Sequence, residues 1–263
     1  MFYTNDGLRL SCSEAGKGDM TLLFLHYFGG SSRTWQPVID LLAADFRCIA
    51  MDLRGWGDAD TPPTGAECRV ERMAGDVEAL IATLGLSKYT LIGHSMGGKV
   101  AQLLAASRPP GLERLLLIAP SPLSPEPMTE DDRAAMRTAY GSADASRETL
   151  QKIACQPLTP ETADAVVADN LRASRTAWVA WADTGSREDL STLAPQIAVP
   201  TFVLSGTGDV AVTPETLAQE VIARIPGATL TSVPGAGHLL PVEAPPVVAE
   251  WVRSCLPEVL PGV

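Results

Sequence analysis

The sequence predicts an α/β fold: a doubly wound, mostly parallel sheet carrying a helical insertion. Three observations lead there. Short apolar runs recur along the chain, each closed by turn residues, and they are continuous rather than alternating. Continuous runs suit strands buried on both faces of a parallel sheet. Stretches of helical periodicity fill the gaps, and strands alternating with helices imply right-handed crossovers. The alternation then lapses over residues 121–199, which hold no convincing strand, and resumes near residue 200.

The elements follow in order. The N-terminal segment through Glu14 reads as an antiparallel hairpin at one edge. The clearest strands are 20–26, 47–53, 89–93, 114–119 and 201–205, with 229–233 a weaker sixth. Val70, Met73, Val77, Leu80, Ile81 and Leu84 form the apolar stripe of a helix that stops at Gly85. A helix over 96–107 follows its strand directly and ends before Pro109-Pro110. Helices over 215–225 and 247–256 complete the set. Pro122, Pro125 and Pro127 open the lapse, which then turns helical. One domain accommodates 263 residues, with a core of 1–120 and 200–263 and an insertion of 121–199.

Composition narrows the function classes. The 31 acidic and 20 basic residues leave a net charge of −11, and the basic residues are scattered. A phosphate backbone is repelled on average, so nucleic acid is not an expected partner. No apolar run approaches the ~20 residues that a bilayer span needs. The opening residues show no secretory signal. Cys12, Cys48, Cys68, Cys155 and Cys255 are odd in number and widely spaced, unlike a disulfide framework, and no CxxC pair suggests a metal site. The reading is a cytoplasmic protein, reduced, with no membrane partner; its oligomeric state stays open.

One motif carries chemistry. Gly93-His94-Ser95-Met96-Gly97 fits G-x-S-x-G, with a strand ending near Ile92 and a helix opening at Met96. A serine on a sharp strand-to-helix turn is forced into a strained backbone, and the small residues flanking it let the chain pack that tightly. The turn exposes the hydroxyl, and the helix N-terminus sets N–H groups beside it. A serine hydroxyl is a weak nucleophile and needs a base, which histidine supplies near neutral pH. There are three histidines. His94 adjoins Ser95 on the elbow and points elsewhere. His26 ends an early strand. His238 closes Pro234-Gly235-Ala236-Gly237-His238, a loop after the last strand.

Residues Leu91-Ile92-Gly93-His94-Ser95-Met96-Gly97-Gly98-Lys99 resemble the nucleophile elbow of α/β-hydrolase-fold esterases. His26-Tyr27-Phe28-Gly29-Gly30-Ser31 resembles that family's His-Gly-x-x-Gly oxyanion loop, and Asp52-Leu53-Arg54-Gly55-Trp56-Gly57 its Asp-x-x-Gly-x-Gly turn. Gly237-His238 is similar to its Gly-His loop. The matches run in the family's order and span nearly the whole chain outside the insertion. They identify a serine-esterase-like member with a helical lid.

The resemblance implies His238 as general base. It implies Asp209, in Gly206-Thr207-Gly208-Asp209, as the carboxylate that orients it, since the family's chain order is Ser, acid, His. Asp183 and Asp189 are weaker rivals inside the insertion. Oxyanion donors are the N–H of Met96, the residue after the nucleophile, and by the resemblance that of Phe28. Tyr27 departs from the pattern, which has Gly there, and a tyrosine does not adopt positive φ cheaply. Either the loop runs differently or the position tolerates a side chain. The Tyr27 hydroxyl reaches the pocket, or its ring packs at the strand end. His26 is expected to hydrogen-bond behind the site. Asp52, Arg54 and Trp56 are expected to brace the loop nearby, with an Arg–Asp pairing there.

An insertion at this point commonly acts as a lid in the family. Trp178 and Trp181, spaced i, i+3, share a helix face. Packing onto the core is the preferred role for them, ahead of lining a pocket for an apolar group. Tyr140 has the same two readings, and Met128 and Leu123 are placed at the entrance. The expected function is hydrolysis of a carboxylic ester, thioester or lactone of a small, apolar substrate through an acyl-enzyme, with no metal or organic cofactor. Carbon–carbon bond hydrolases, perhydrolases and lyases use the same triad and stay as alternatives. A non-catalytic ligand-binding receptor on this fold is the alternative of another class. Epoxide hydrolases and haloalkane dehalogenases resemble the layout but carry Asp where this chain has Ser95.

Overall fold

A computed structural model describes residues 1–257, so residues 258–263 of the expected core lie outside the described residues. Eight strands form one sheet in the order β1-β2-β4-β3-β5-β6-β7-β8. β1 (Phe2–Asn5) and β2 (Leu8–Ala15) form the antiparallel edge hairpin, and β2 also runs antiparallel to β4. The other pairings are parallel: β3 (Thr21–Leu25), β4 (Arg47–Asp52), β5 (Tyr89–His94), β6 (Leu112–Ile118), β7 (Thr201–Gly206) and β8 (Thr229–Val233).

Strand side chains alternate between two cores, which is why these runs read as continuously apolar. Leu22 and Phe24 of β3, with Ile92 of β5 and Leu116 of β6, face one layer. α1 (Gln36–Leu42) and α10 (Pro245–Ser254) cover that face through Val38, Ile39, Val248 and Val252. Leu23 and Leu25, with Leu91 and Leu115, face the other layer, under α2 (Val70–Leu84) and α3 (Met96–Ala106). The α2 stripe buries Val70, Met73, Val77 and Leu80 there, and the helix ends at Gly85 in a left-handed conformation.

Four α-helices lie between β6 and β7: α4 (Glu130–Ala139), α5 (Ala143–Ile153), α6 (Pro160–Arg172) and α7 (Arg175–Asp183). Each starts from a Ser or Thr whose side chain accepts a first-turn N–H. Beyond β7, α8 (Pro214–Leu217) is shorter than the expected helix and continues as a π turn over Ala218–Ile222. α9 (Leu240–Glu243) precedes α10. Among the described residues no helix is long and apolar enough to cross a membrane. Cys155 is exposed and the other four cysteines are buried and free.

Candidate active site

Three segments from different ends of the chain meet at Ser95. β5 delivers it onto the turn before α3, at φ 51° and ψ −117°. That geometry is sterically costly for a residue with a side chain. It is held by close packing: a Cβ on Gly97 would sit 2.5 Å from the His26 carbonyl oxygen, and one on Gly93 would sit 2.6 Å from the Gly97 oxygen. The Ser95 N–H donates to Ile118 O at 3.1 Å, pinning the turn to β6.

The loop after β8 carries His238 and the loop after β7 carries Asp209. His238 Nε2 lies 2.9 Å from Ser95 Oγ, and Nδ1 lies 2.8 Å from Asp209 Oδ2. Asp209 is fixed in turn, its Oδ1 accepting the Ala211 and Val212 N–H groups at 2.8 and 3.0 Å. With Nδ1–H donating to the carboxylate, Nε2 is left as the acceptor that faces the serine hydroxyl. All three side chains are buried. Burial disfavours the imidazolium, but the charge and hydrogen bond of Asp209 outweigh it and raise the His238 pKa above its ordinary value. Proton acceptance at Nε2 is therefore lost as pH falls through that raised value.

The other two histidines bond elsewhere than to Ser95 Oγ or Asp209 among the described residues. His94 Nε2–H donates to the His238 carbonyl at 2.8 Å, and burial holds His94 neutral, well below its usual pKa. His26 accepts the Leu53 N–H at Nε2 (3.1 Å) and bonds Tyr27 O through Nδ1 (2.7 Å), joining the loops after β3 and β4. Asp52 accepts the Ser32 and Asp58 N–H groups at 2.6 and 3.0 Å. The pairing expected within that turn is different: Arg54 pairs with Asp76 of α2, through Nε at 2.6 Å and Nη2 at 2.5 Å. Trp56 packs against His26 and Phe28.

The loop after β3 accommodates Tyr27 because the left-handed residue is Gly29, at φ 85°, two positions on. Tyr27 takes an ordinary φ; its ring packs 5.2 Å from that of His94 and also borders the cavity. Among the described residues neither the Phe28 nor the Met96 N–H finds a protein acceptor.

A cavity of about 510 Å³ opens onto Ser95 and His238. Phe28, Met136, Leu150, Ile153, Trp178 and Trp181 form much of its wall, so the inserted helices supply the side opposite the sheet. Both tryptophans are buried, and the Trp178 ring lies 4.4 Å from Phe28. They thus pack the insertion onto the core and line the cavity at once. Met128 lines it too. Tyr140 does not: it stands behind Trp178, its hydroxyl donating to Ala173 O at 3.1 Å. Leu123 is fully buried in the core and not at the entrance. Asp183 pairs with Arg137 and Asp189 caps Ser191, so neither rival carboxylate bonds His238.

Residue Lys99, not singled out above, is fully buried one turn into α3. Its Nζ donates to Ser124 O at 3.1 Å and Glu188 O at 2.7 Å. The sequence does hold a signal: Lys99 sits on the stripe Met96, Lys99, Val100, Leu103, where a helix is otherwise apolar.

Residues 22–251 match the alpha/beta hydrolase family. A thermophilic esterase from Thermogutta terrifontis, with malate bound, is 28% identical and superposes with a TM-score of 0.79 over 97% of each chain. A putative 2-succinyl-6-hydroxy-2,4-cyclohexadiene-1-carboxylate synthase of Bacillus subtilis (strain 168) is 26% identical over 269 residues, covering 95% of this chain and 97% of that one. The soluble epoxide hydrolase of Corynebacterium sp. (strain C12) is 41% identical over 113 residues, 43% of this chain. This chain spans 38% of that relative's length.

Proposed function

The chain belongs to the alpha/beta hydrolase family, and we propose that it is a serine hydrolase cleaving a carboxylic ester, thioester or lactone of a small substrate through an acyl-enzyme. The observation that carries this is the unbroken hydrogen-bond chain from Ser95 Oγ through His238 to Asp209. Ser95 Oγ attacks the carbonyl carbon while His238 Nε2 takes the hydroxyl proton. His238 then gives that proton to the leaving oxygen or sulfur as the tetrahedral intermediate collapses. A water molecule repeats the sequence and releases the acid. Asp209 holds the imidazole in the required tautomer and balances its charge.

The negative oxygen of the intermediate is assigned to the N–H groups of Met96 and Phe28, whose lack of protein acceptors supports the role. One such donor is worth about 3 kcal/mol in a well-studied case. The helices of 121–199 are proposed as a lid over a core of 1–120 and 200–263, and Trp178, Trp181 and Tyr27 as pocket walls. A small-molecule substrate without nucleic-acid or membrane partners follows from this reading. A cytoplasmic location remains part of the proposal.

The full-length likeness to a protein named as a synthase favours one second reading, in which the same residues run a lyase-type reaction. Fluorophosphonate labelling and hydrolysis of short-chain p-nitrophenyl esters decide the matter. The proposal expects both, with labelling at Ser95 and at least a ~10⁴-fold loss of turnover in Ser95→Ala. Labelling without ester turnover favours the lyase reading. Absence of both leaves a non-catalytic receptor.

A further inference from the structure

We infer that Glu243 is a positioning residue: its one carboxylate locks the His238 loop to the end of α5, so that the base and a wall of the cavity move as a unit. The inference rests on the reading of His238 as general base.

Glu243 ends α9 and takes no part in the Ser95–His238–Asp209 chain. Its Oε1 accepts the Leu239 N–H at 2.8 Å, and its Oε2 accepts the Gly237 N–H at 2.9 Å. These two amides flank His238. The same Oε2 accepts the N–H groups of Cys155 and Gln156, at 2.8 and 2.9 Å. Those residues lie two and three positions past the end of α5. Four backbone donors therefore converge on one side chain, and charge-assisted bonds of this kind are the strong class of hydrogen bond. His238 is gripped in between: its own N–H donates to Ile153 O at 2.8 Å, and His94 holds its carbonyl.

The loop needs such a clamp. Gly235, Ala236 and Gly237 precede His238 and carry almost no side chain to pack, so the backbone is intrinsically loose. Displacement of a catalytic group by about 1 Å costs on the order of 10²-fold in rate. The clamp also reaches the cavity. Leu150 and Ile153 line it from α5, and the Ile153 carbonyl is the one that holds His238. Swinging α5 away from the core would break the bonds from Cys155 and Gln156 and release the His238 N–H. Access to the cavity and readiness of the base are thereby linked through one carboxylate, whose charge also favours the imidazolium of His238.

Glu243→Gln tests this with the p-nitrophenyl ester assay across pH. The amide keeps the size but sets an NH₂ group against N–H donors, one where Oε1 stood or three where Oε2 stood. The expected result is a kcat lowered about 10²-fold, KM within about threefold, slower fluorophosphonate labelling, and the acid limb of kcat/KM moved to lower pH. A merely structural residue would not move that limb. Glu243→Asp keeps the charge but shortens the reach, so it should hold the limb in place while kcat stays low. It also serves if the Gln variant does not fold. Wild-type kcat in either variant overturns the inference, as does a loss confined to KM. A wild-type protein that neither labels nor turns over ester refutes the serine-hydrolase reading itself, which is a distinct outcome.

Discussion

Ser95 combines the proposed chemistry with a backbone conformation that costs a side-chain-bearing residue about 1–3 kcal/mol. Glycine adopts positive φ freely. Ser95→Gly is therefore expected to abolish turnover and raise unfolding stability by about 1 kcal/mol, after allowing for the greater freedom of glycine in the unfolded chain. Urea denaturation of the two proteins measures this, and an unchanged or lower midpoint would mean that the elbow stores no strain. At this scale the sequence is informative where the grammar is local. Ser95 announces itself through its neighbours, and His238 and Asp209 each sit in a short glycine-containing loop after a strand. Arg54 shows where local reading stops. Its partner is Asp76, not a carboxylate of its own turn, because α2 folds back to bring a residue 22 positions away into contact. Glu243 is illegible for the same reason, since two of its four donors come from about 87 positions upstream.

Among the elements, α2 is fastened by that distant pair. Arg54 and Asp76 are both fully buried, and Asp76 Oδ1 also accepts from Asn5 Nδ2 at 2.8 Å. One carboxylate thus joins the edge hairpin, the loop after β4 and α2. Asp76→Ala leaves the guanidinium buried and uncompensated, and should lower unfolding free energy by about 3–5 kcal/mol. Chemical denaturation reads this directly; a loss below about 1 kcal/mol would show that Arg54 finds another partner. α2 itself is legible to the residue, because fifteen residues give its stripe four turns in which to repeat. α1 leaves no comparable trace: seven residues show Val38, Ile39 and Leu42 only once around. The π turn after α8 is likewise invisible to a search for 3.6-residue periodicity.

For the whole molecule, the fold class follows from the sequence, but the strand order does not. Which strands neighbour each other depends on crossovers between distant segments, and β4 lies between β2 and β3. Nor does the sequence show how the inserted helices are joined to the sheet. Lys99 is central to that joint, with Glu126, Glu188, Asp189 and Arg133 as its charged surroundings. Burial lowers its pKa to about 8, against roughly 10.4 in an unfolded chain. Between those values the unfolded state binds more protons, so the Lys99 contribution to stability rises with pH. Other buried groups titrate in the same range, so the difference between wild type and Lys99→Met isolates it. From pH 7 to pH 10 wild type should gain about 2–3 kcal/mol on the variant in paired denaturation curves. A constant difference would place the ammonium in contact with water. The two carbonyls that Lys99 holds come from opposite ends of the insertion, and Leu190 N–H to Leu123 O (2.8 Å) and Glu126 N–H to Ser186 O (2.8 Å) stitch those ends together. The helices therefore stand on a closed stalk rather than on two independent linkers. Modularity follows from this footing: a segment shuffled in from a relative inherits a sound attachment when the crossover points fall outside 123–190 and the incoming ends meet the ammonium of Lys99. Crossovers drawn inside that span divide the stalk and strand a buried cation.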